Sequence, residues 1–291
     1  MRKGLTAVLA IGALTGGVAT GAAPAAASER HDTTSLAVHA TGGAVTLSRH
    51  SVHAGRIRIT VDTTSPNGSN VLVFRPARGV SLATVLADFA EEFSPDPATD
   101  AKGTRDLTRD ARFYGGGDVV PGTPVTVTEN LTRATYYVAD LAAPPGPNGP
   151  QLQTLVVRGE NEESSDWPGR GAATVRLTSN DRFLVTGRLH ARGSVVVANV
   201  SDTLHFMDLQ PVKPGTTDAQ IQAYFASGAQ GQPPFAVNGP TAGMDVQSPG
   251  RRAVLSYSLP KGTYVLLCFV ADDMTGMPHA LMGMHKVVVL T

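Results

Sequence analysis

One cysteine, Cys268, and one tryptophan are all this 291-residue chain holds of either type. A lone cysteine cannot close an intrachain disulfide, so covalent staples are excluded as the source of stability. Aromatics make up 5% and charged residues 16%, and no run of five like charges occurs. The formal net charge is zero, with no basic stripe to hold a phosphate backbone, which argues against nucleic acid as a partner. Beyond the N-terminus, no stretch approaches the roughly 20 apolar residues of a membrane span. The Gly-x-Ser-x-Gly elbow and a Gly-rich phosphate loop before a helix are also missing, so neither a serine hydrolase nor a nucleotide enzyme is indicated.

Turn formers, by contrast, are abundant: 31 glycines and 20 prolines. Short β-prone runs punctuated by turns fit an all-β chain better than a helical bundle. Such runs include Leu36–His39, Ala44–Leu47, Arg56–Asp62, Asn70–Arg75, Thr135–Asp140 and Leu152–Val157. One helix stands out after Ser81, a natural N-cap, with Leu82, Val85, Leu86, Phe89 and Phe93 on one face. The Pro/Asp/Gly-rich stretch 94–122 reads as a loop.

The N-terminus has the three parts of an export leader. Met1-Arg2-Lys3 is basic, Leu5 to Val18 apolar, and Ala25-Ala26-Ala27 a small-residue cleavage site. The expectation is removal of residues 1–27 and a secreted protein without a membrane anchor.

The second half repeats the first. Val52-His53-Ala54-Gly55 before a strand resembles Leu189-His190-Ala191-Arg192-Gly193. Gly79-Val80-Ser81 and Gly215-Thr216-Thr217 each lead into a helix, with Val85/Phe89 answering Ile221/Phe225. Thr135-Tyr136 answers Thr263-Tyr264. Four matches in one order predict two homologous β-sandwiches, residues 36–158 and 172–291, with one inserted helix each and a linker at 159–171. In that alignment Ser69 stands opposite His205, and Asp140 opposite Cys268.

The segment Gly262–Thr291 concentrates the chemistry. It carries Cys268, His279, His285 and four of the seven methionines: Met274, Met277, Met282 and Met284. Thiol, imidazole and thioether together are the donors copper favours. The spacing Cys268-x10-His279-x4-Met284 resembles the C-terminal copper loop of cupredoxins, the blue-copper family. His205, six residues after Asn199, resembles the family's upstream histidine. The resemblance implies two Greek-key cupredoxin-like sandwiches and a copper ligand set of His205, Cys268, His279 and Met284. With it come electron transfer or copper handling outside the membrane and a redox or copper-handling protein partner.

Other readings compete with this one. Ten residues between Cys268 and His279 exceed the interval of the small electron carriers, and a flexible loop there would loosen the site. Met282 and His285 rival Met284 for the axial place. The four methionines alternatively form a Cu(I) thioether cluster, or simply pack the sandwich end. Cys268 itself alternatively serves as a buried apolar thiol, in which case the protein is a metal-free exported binding module. His-x-His pairs of a trinuclear oxidase site are missing, and Leu267 stands where a nitrite reductase has a second-site histidine, so no enzymatic activity is expected.

Overall fold

The computed structural model describes residues 34–142, 150–160 and 173–291. The export leader and nearly all of the expected linker (161–171) lie outside them.

The first half contains β1 (Thr34–Ala40), β2 (Val45–Leu47), β3 (Ser51–His53), β4 (Gly55–Thr63) and β5 (Ser69–Pro76). Two helices follow, α1 (Leu82–Glu92) and α2 (Pro97–Asp110), then β6 (Ala111–Val119), β7 (Val125–Leu131), β8 (Ala134–Asp140) and β9 (Leu152–Arg158). The second half runs β10 (Ala173–Thr178), β11 (Arg182–Thr186), β12 (Arg192–Asn199), β13 (His205–Pro211) and α3 (Asp218–Ala226). It ends with β14 (Ala242–Gln247), β15 (Arg252–Ser258), β16 (Gly262–Leu267), α4 (His279–Met282) and β17 (His285–Leu290).

Strand alternation builds the sandwich. On β4, Ile57, Ile59 and Val61 are wholly buried while Arg58, Thr60 and Asp62 face outward, the period-two pattern of a half-buried strand. The inward faces of both sheets meet in one core that includes Phe74, Phe113, Tyr136, Leu177 and Leu255.

One sheet is ordered β11-β10-β12-β15-β7-β4-β1-β2, the other β17-β16-β13-β14-β6-β5-β8-β9-β3. Apart from the small edge strand β3, each order reads the same from both ends once β10 is matched to β1, β12 to β4, β13 to β5 and β16 to β8. Each half therefore forms its own two-sheet sandwich, and the two are joined edge to edge. The joints are β7 against β15 and β6 against β14, both antiparallel. The sequence foresaw two sandwiches but not that their sheets would run on through a seam.

The internal match reaches single hydrogen bonds. The Tyr136 hydroxyl donates to the carbonyl of Thr132 at 2.9 Å, and Tyr264 donates to Pro260 at 3.1 Å. Each tyrosine opens its strand and ties it to the chain four residues upstream, the corner device of sandwich folds. Ser81 caps α1 by accepting from the Thr84 N–H, and Thr217 caps α3 in a reciprocal box with Gln220.

Two expectations need correction. Residues 94–122 are not a loop: they contain all of α2 and β6. Asp96 caps α2 by accepting from the Thr99 N–H, and Pro97 at its first turn has the backbone angle a helix start requires. The signal escaped notice because the buried face of α2 is Ala101, Gly103, Thr104 and Leu107, too small and polar to look like an apolar stripe. The first half thus has two inserted helices, not one.

Candidate metal centre

Three of the four predicted ligands come together. His205 is the first residue of β13, whose neighbour in the sheet is β16. Cys268 directly follows β16. The chain then folds back: the His279 N–H donates to the Val270 carbonyl at 2.9 Å and the Ala280 N–H to the Cys268 carbonyl at 2.7 Å. His279 is thereby returned beside the cysteine across ten intervening residues.

The donor atoms face one another. His205 Nδ1 lies 3.1 Å from His279 Nδ1, and Cys268 Sγ lies 3.8 Å and 3.7 Å from the two nitrogens. A point in the plane of these atoms sits about 2.1 Å from all three, close to the metal–nitrogen and metal–sulfur lengths of zinc sites with the same donors. The residues present therefore fit a trigonal ion.

Burial shapes the electrostatics. All three residues are fully buried. Burial, with His279 alongside, pushes His205 down to about 3, and burial pushes His279 down to about 4. Both rings are therefore neutral over the ordinary pH range, the state a metal ligand needs. Burial pushes the Cys268 thiol up to about 12, opposed by hydrogen bonds from the Phe206 and Val270 N–H groups. The Phe206 nitrogen is 3.4 Å from the sulfur. A bare thiolate is costly here, and a cation bound at Sγ would remove that cost. On the far side of His279, Asp181 Oδ1 stands 3.8 Å from Nε2. Sequence gave no signal for Asp181, a turn residue that the fold carries in from the β10–β11 connection.

Met284 is fully buried in the same core cluster as Cys268, and its N–H donates to the His279 carbonyl at 2.9 Å. Met282 is only half-buried. His285, expected to be partly exposed, is buried, and it is turned away from the site: Nε2 lies 3.0 Å from Gln222 Oε1, and Nδ1 3.5 Å from Asp218 Oδ1. Met274 and Met277 are 77% and 47% exposed, so the four methionines form neither a thioether cluster nor a packed plug.

The long loop is held in place. Asp272 Oδ1 accepts from the Met274 and Thr275 N–H groups and the Thr275 hydroxyl, and the Gly276 N–H donates to the Asp272 carbonyl. Arg105 of α2 donates to the Asp273 carbonyl. Gly276, at φ 70°, lies so close to α2 that an added Cβ would stand 2.2 Å from the Pro97 carbonyl oxygen. The extra length is thus the reach needed to dock on the first half. Gly276→Ala should cost about 1–3 kcal/mol through positive φ and this clash, read as a lower urea midpoint. A midpoint unchanged from the parent would show that the loop does not dock there.

The first half keeps the frame without the donors. Asp140 occupies the place of Cys268 and Ser69 that of His205. The Asn70 N–H donates to Asp140 Oδ1 as Phe206 does to the sulfur, and Ala142 corresponds to Val270 in the same way. Gly42 and Gly43 add two more N–H donors to Oδ2. One backbone cradle holds a thiol in one half and a carboxylate in the other.

No protein-family model matches this chain, and no curated protein matches it. Solved structures similar to it include dithionite-reduced auracyanin from Roseiflexus castenholzii, at 19% identity over 43% of this chain and 99% of that one, TM-score 0.26. Copper nitrite reductase from Nitrosomonas europaea is 13% identical over 89% of this chain and 94% of that one, TM-score 0.22. McoA multicopper oxidase from Aquifex aeolicus is 11% identical over 88% and 65%, TM-score 0.25. At such scores the likenesses bear on neither the site nor its chemistry. The chain's own arrangement is two sandwiches, with an imidazole opening one strand and a thiol directly after the end of its neighbour.

Proposed function

We propose that this chain is an exported copper protein that transfers electrons or handles the metal outside the membrane. The supporting observation is the triangle of two imidazole nitrogens and one thiol sulfur, each about 2.1 Å from a common point. Two His and one Cys in a trigonal set are the donors of a blue-copper centre; His205, Cys268 and His279 would hold the ion, and Met284, buried in the same cluster as Cys268, would supply the thioether. Copper bound there supplies one-electron cycling between Cu(II) and Cu(I). The protein's part is to exclude water, to hold both rings neutral with Nδ1 inward, and to offer two N–H groups to the sulfur.

Electron transfer or metal handling is preferred to catalysis. Only one of the clusters capable of holding a metal among the described residues contains more than one histidine. The first half, with Asp140 and Ser69 in place of ligands, serves as the brace on which the long loop docks. The functional partner in this reading is a redox or copper-handling protein.

Titrating the purified protein with Cu(II) tests the proposal. One equivalent should develop an intense visible thiolate-to-copper band that dithionite bleaches and air or ferricyanide restores. A spectrum showing only weak d–d absorption would remove the electron-transfer reading.

A further inference from the structure

The seam between the two sandwiches contains a cavity of about 230 Å³. Phe89 and Phe113 wall it from the first half, and Phe206 and Phe269 from the second. Phe93 and Phe269, both more than two-fifths exposed, belong to its wall and mark a way in from solvent. Three carboxylates share this apolar wall: Glu92 at the end of α1, Asp118 on β6 and Asp245 on β14. Asp118 and Asp245 sit at corresponding places on the two seam strands.

Among the described residues, no counter-charge acts on these acids. The charged groups acting on Glu92 are Asp100 and Asp245; those on Asp118 are Asp208 and Asp245; that on Asp245 is Asp140. Every one is another carboxylate, and the described wall contains no Lys, Arg or His. Burial, reinforced by these neighbours, pushes Glu92 up to about 8 and Asp245 up to about 7, and raises Asp118 well above its usual range. Thr104, also in the wall, is fully buried with a hydroxyl that has no hydrogen-bond partner. Buried acids without a cation and a buried hydroxyl without a partner are both costly unless something completes them.

We propose that the seam cavity is a binding site for a small organic cation, a primary amine carried on a single aromatic ring or short alkyl body. The ammonium supplies three donors and a positive charge, accepted by Glu92, Asp245 and the Thr104 hydroxyl, while Asp118 shares a hydrogen bond with Asp208. The aromatic walls supply the apolar contact and a face for the cation. Size agrees: a cavity of about 150 Å³ holds benzene, so this one holds a ring with a short aminoalkyl arm. A hard metal ion is a poorer fit: among the described residues these three carboxylates do not form a group whose oxygens all lie within 4.8 Å of one another. None of the proposed copper ligands lines this cavity.

The test is calorimetric titration of the metal-free full chain with 2-phenylethylamine, against 2-phenylethanol and 3-phenylpropionate as neutral and anionic analogues. The amine should bind one to one, the alcohol at least about tenfold more weakly, and the acid not at all. Asp245→Asn and Glu92→Gln should each weaken the amine about tenfold or more. Thr104→Val breaks no existing side-chain hydrogen bond, so it should fold like the parent and still lose several-fold in amine affinity. Absence of amine binding, equal binding of the alcohol, or parental affinity in folded Thr104→Val and Asp245→Asn would each overturn the proposal.

Discussion

Cys268→Ser should abolish the intense visible band of the copper-loaded protein and weaken copper binding by at least about a hundredfold. The band requires a thiolate on the metal, and serine cannot supply one. The loss should exceed the 10–100-fold typical of changes to residues that merely support ligands. Folding should not confuse the result. Serine is nearly the same size, and its hydroxyl can bond to His205 or His279 Nδ1, which flank the sulfur at 3.8 and 3.7 Å. Met284→Leu is the matched control: it removes only the candidate thioether and leaves the thiol, so the band should persist and shift. Survival of the band in Cys268→Ser would place the thiol outside the centre, and equal loss in both variants would show that the Met284 thioether is as necessary as the thiol.

Asp140→Ala should be the most destabilising single change in the first half, at about 3–5 kcal/mol. The Asp140 carboxylate accepts from four backbone N–H groups, those of Gly42, Gly43, Asn70 and Ala142, at 2.8–3.1 Å. Truncation strands donors from three separate segments, each worth about 1–3 kcal/mol when buried and less where water can enter. Asp140→Asn keeps one acceptor oxygen and should lose roughly half as much. Urea denaturation of the metal-free protein reads both. A cost below about 1 kcal/mol for the alanine variant would mean that the cradle is idle structure. In the first half a fixed carboxylate satisfies the N–H groups that, in the second half, face a sulfur.

Much of this was legible in the residues. The tandem repeat could be read because its markers are local: capped helices at Ser81 and Thr217, and the Thr-Tyr pairs that became matching corners. The convergence of Cys268 and His279 was legible because one strand–loop–strand unit presents both. What escaped notice depends on contacts distant in sequence. Helix α2 hides behind a polar, small-residue face that makes sense only against α1. The ten-residue interval looked like slack because nothing in it announces Arg105 and Pro97 as docking partners. Asp181 comes from a turn nearly a hundred residues before His279. The seam, with its acids on β6 and β14, exists only once two halves are placed side by side.

The proposed function requires that His205, Cys268 and His279 bind one copper ion together. Copper K-edge X-ray absorption on the protein loaded with one equivalent measures that coordination directly. Two imidazole nitrogens at about 2.0 Å and one sulfur at about 2.2–2.3 Å are expected. A shell of nitrogen and oxygen alone, with no short sulfur, would contradict it.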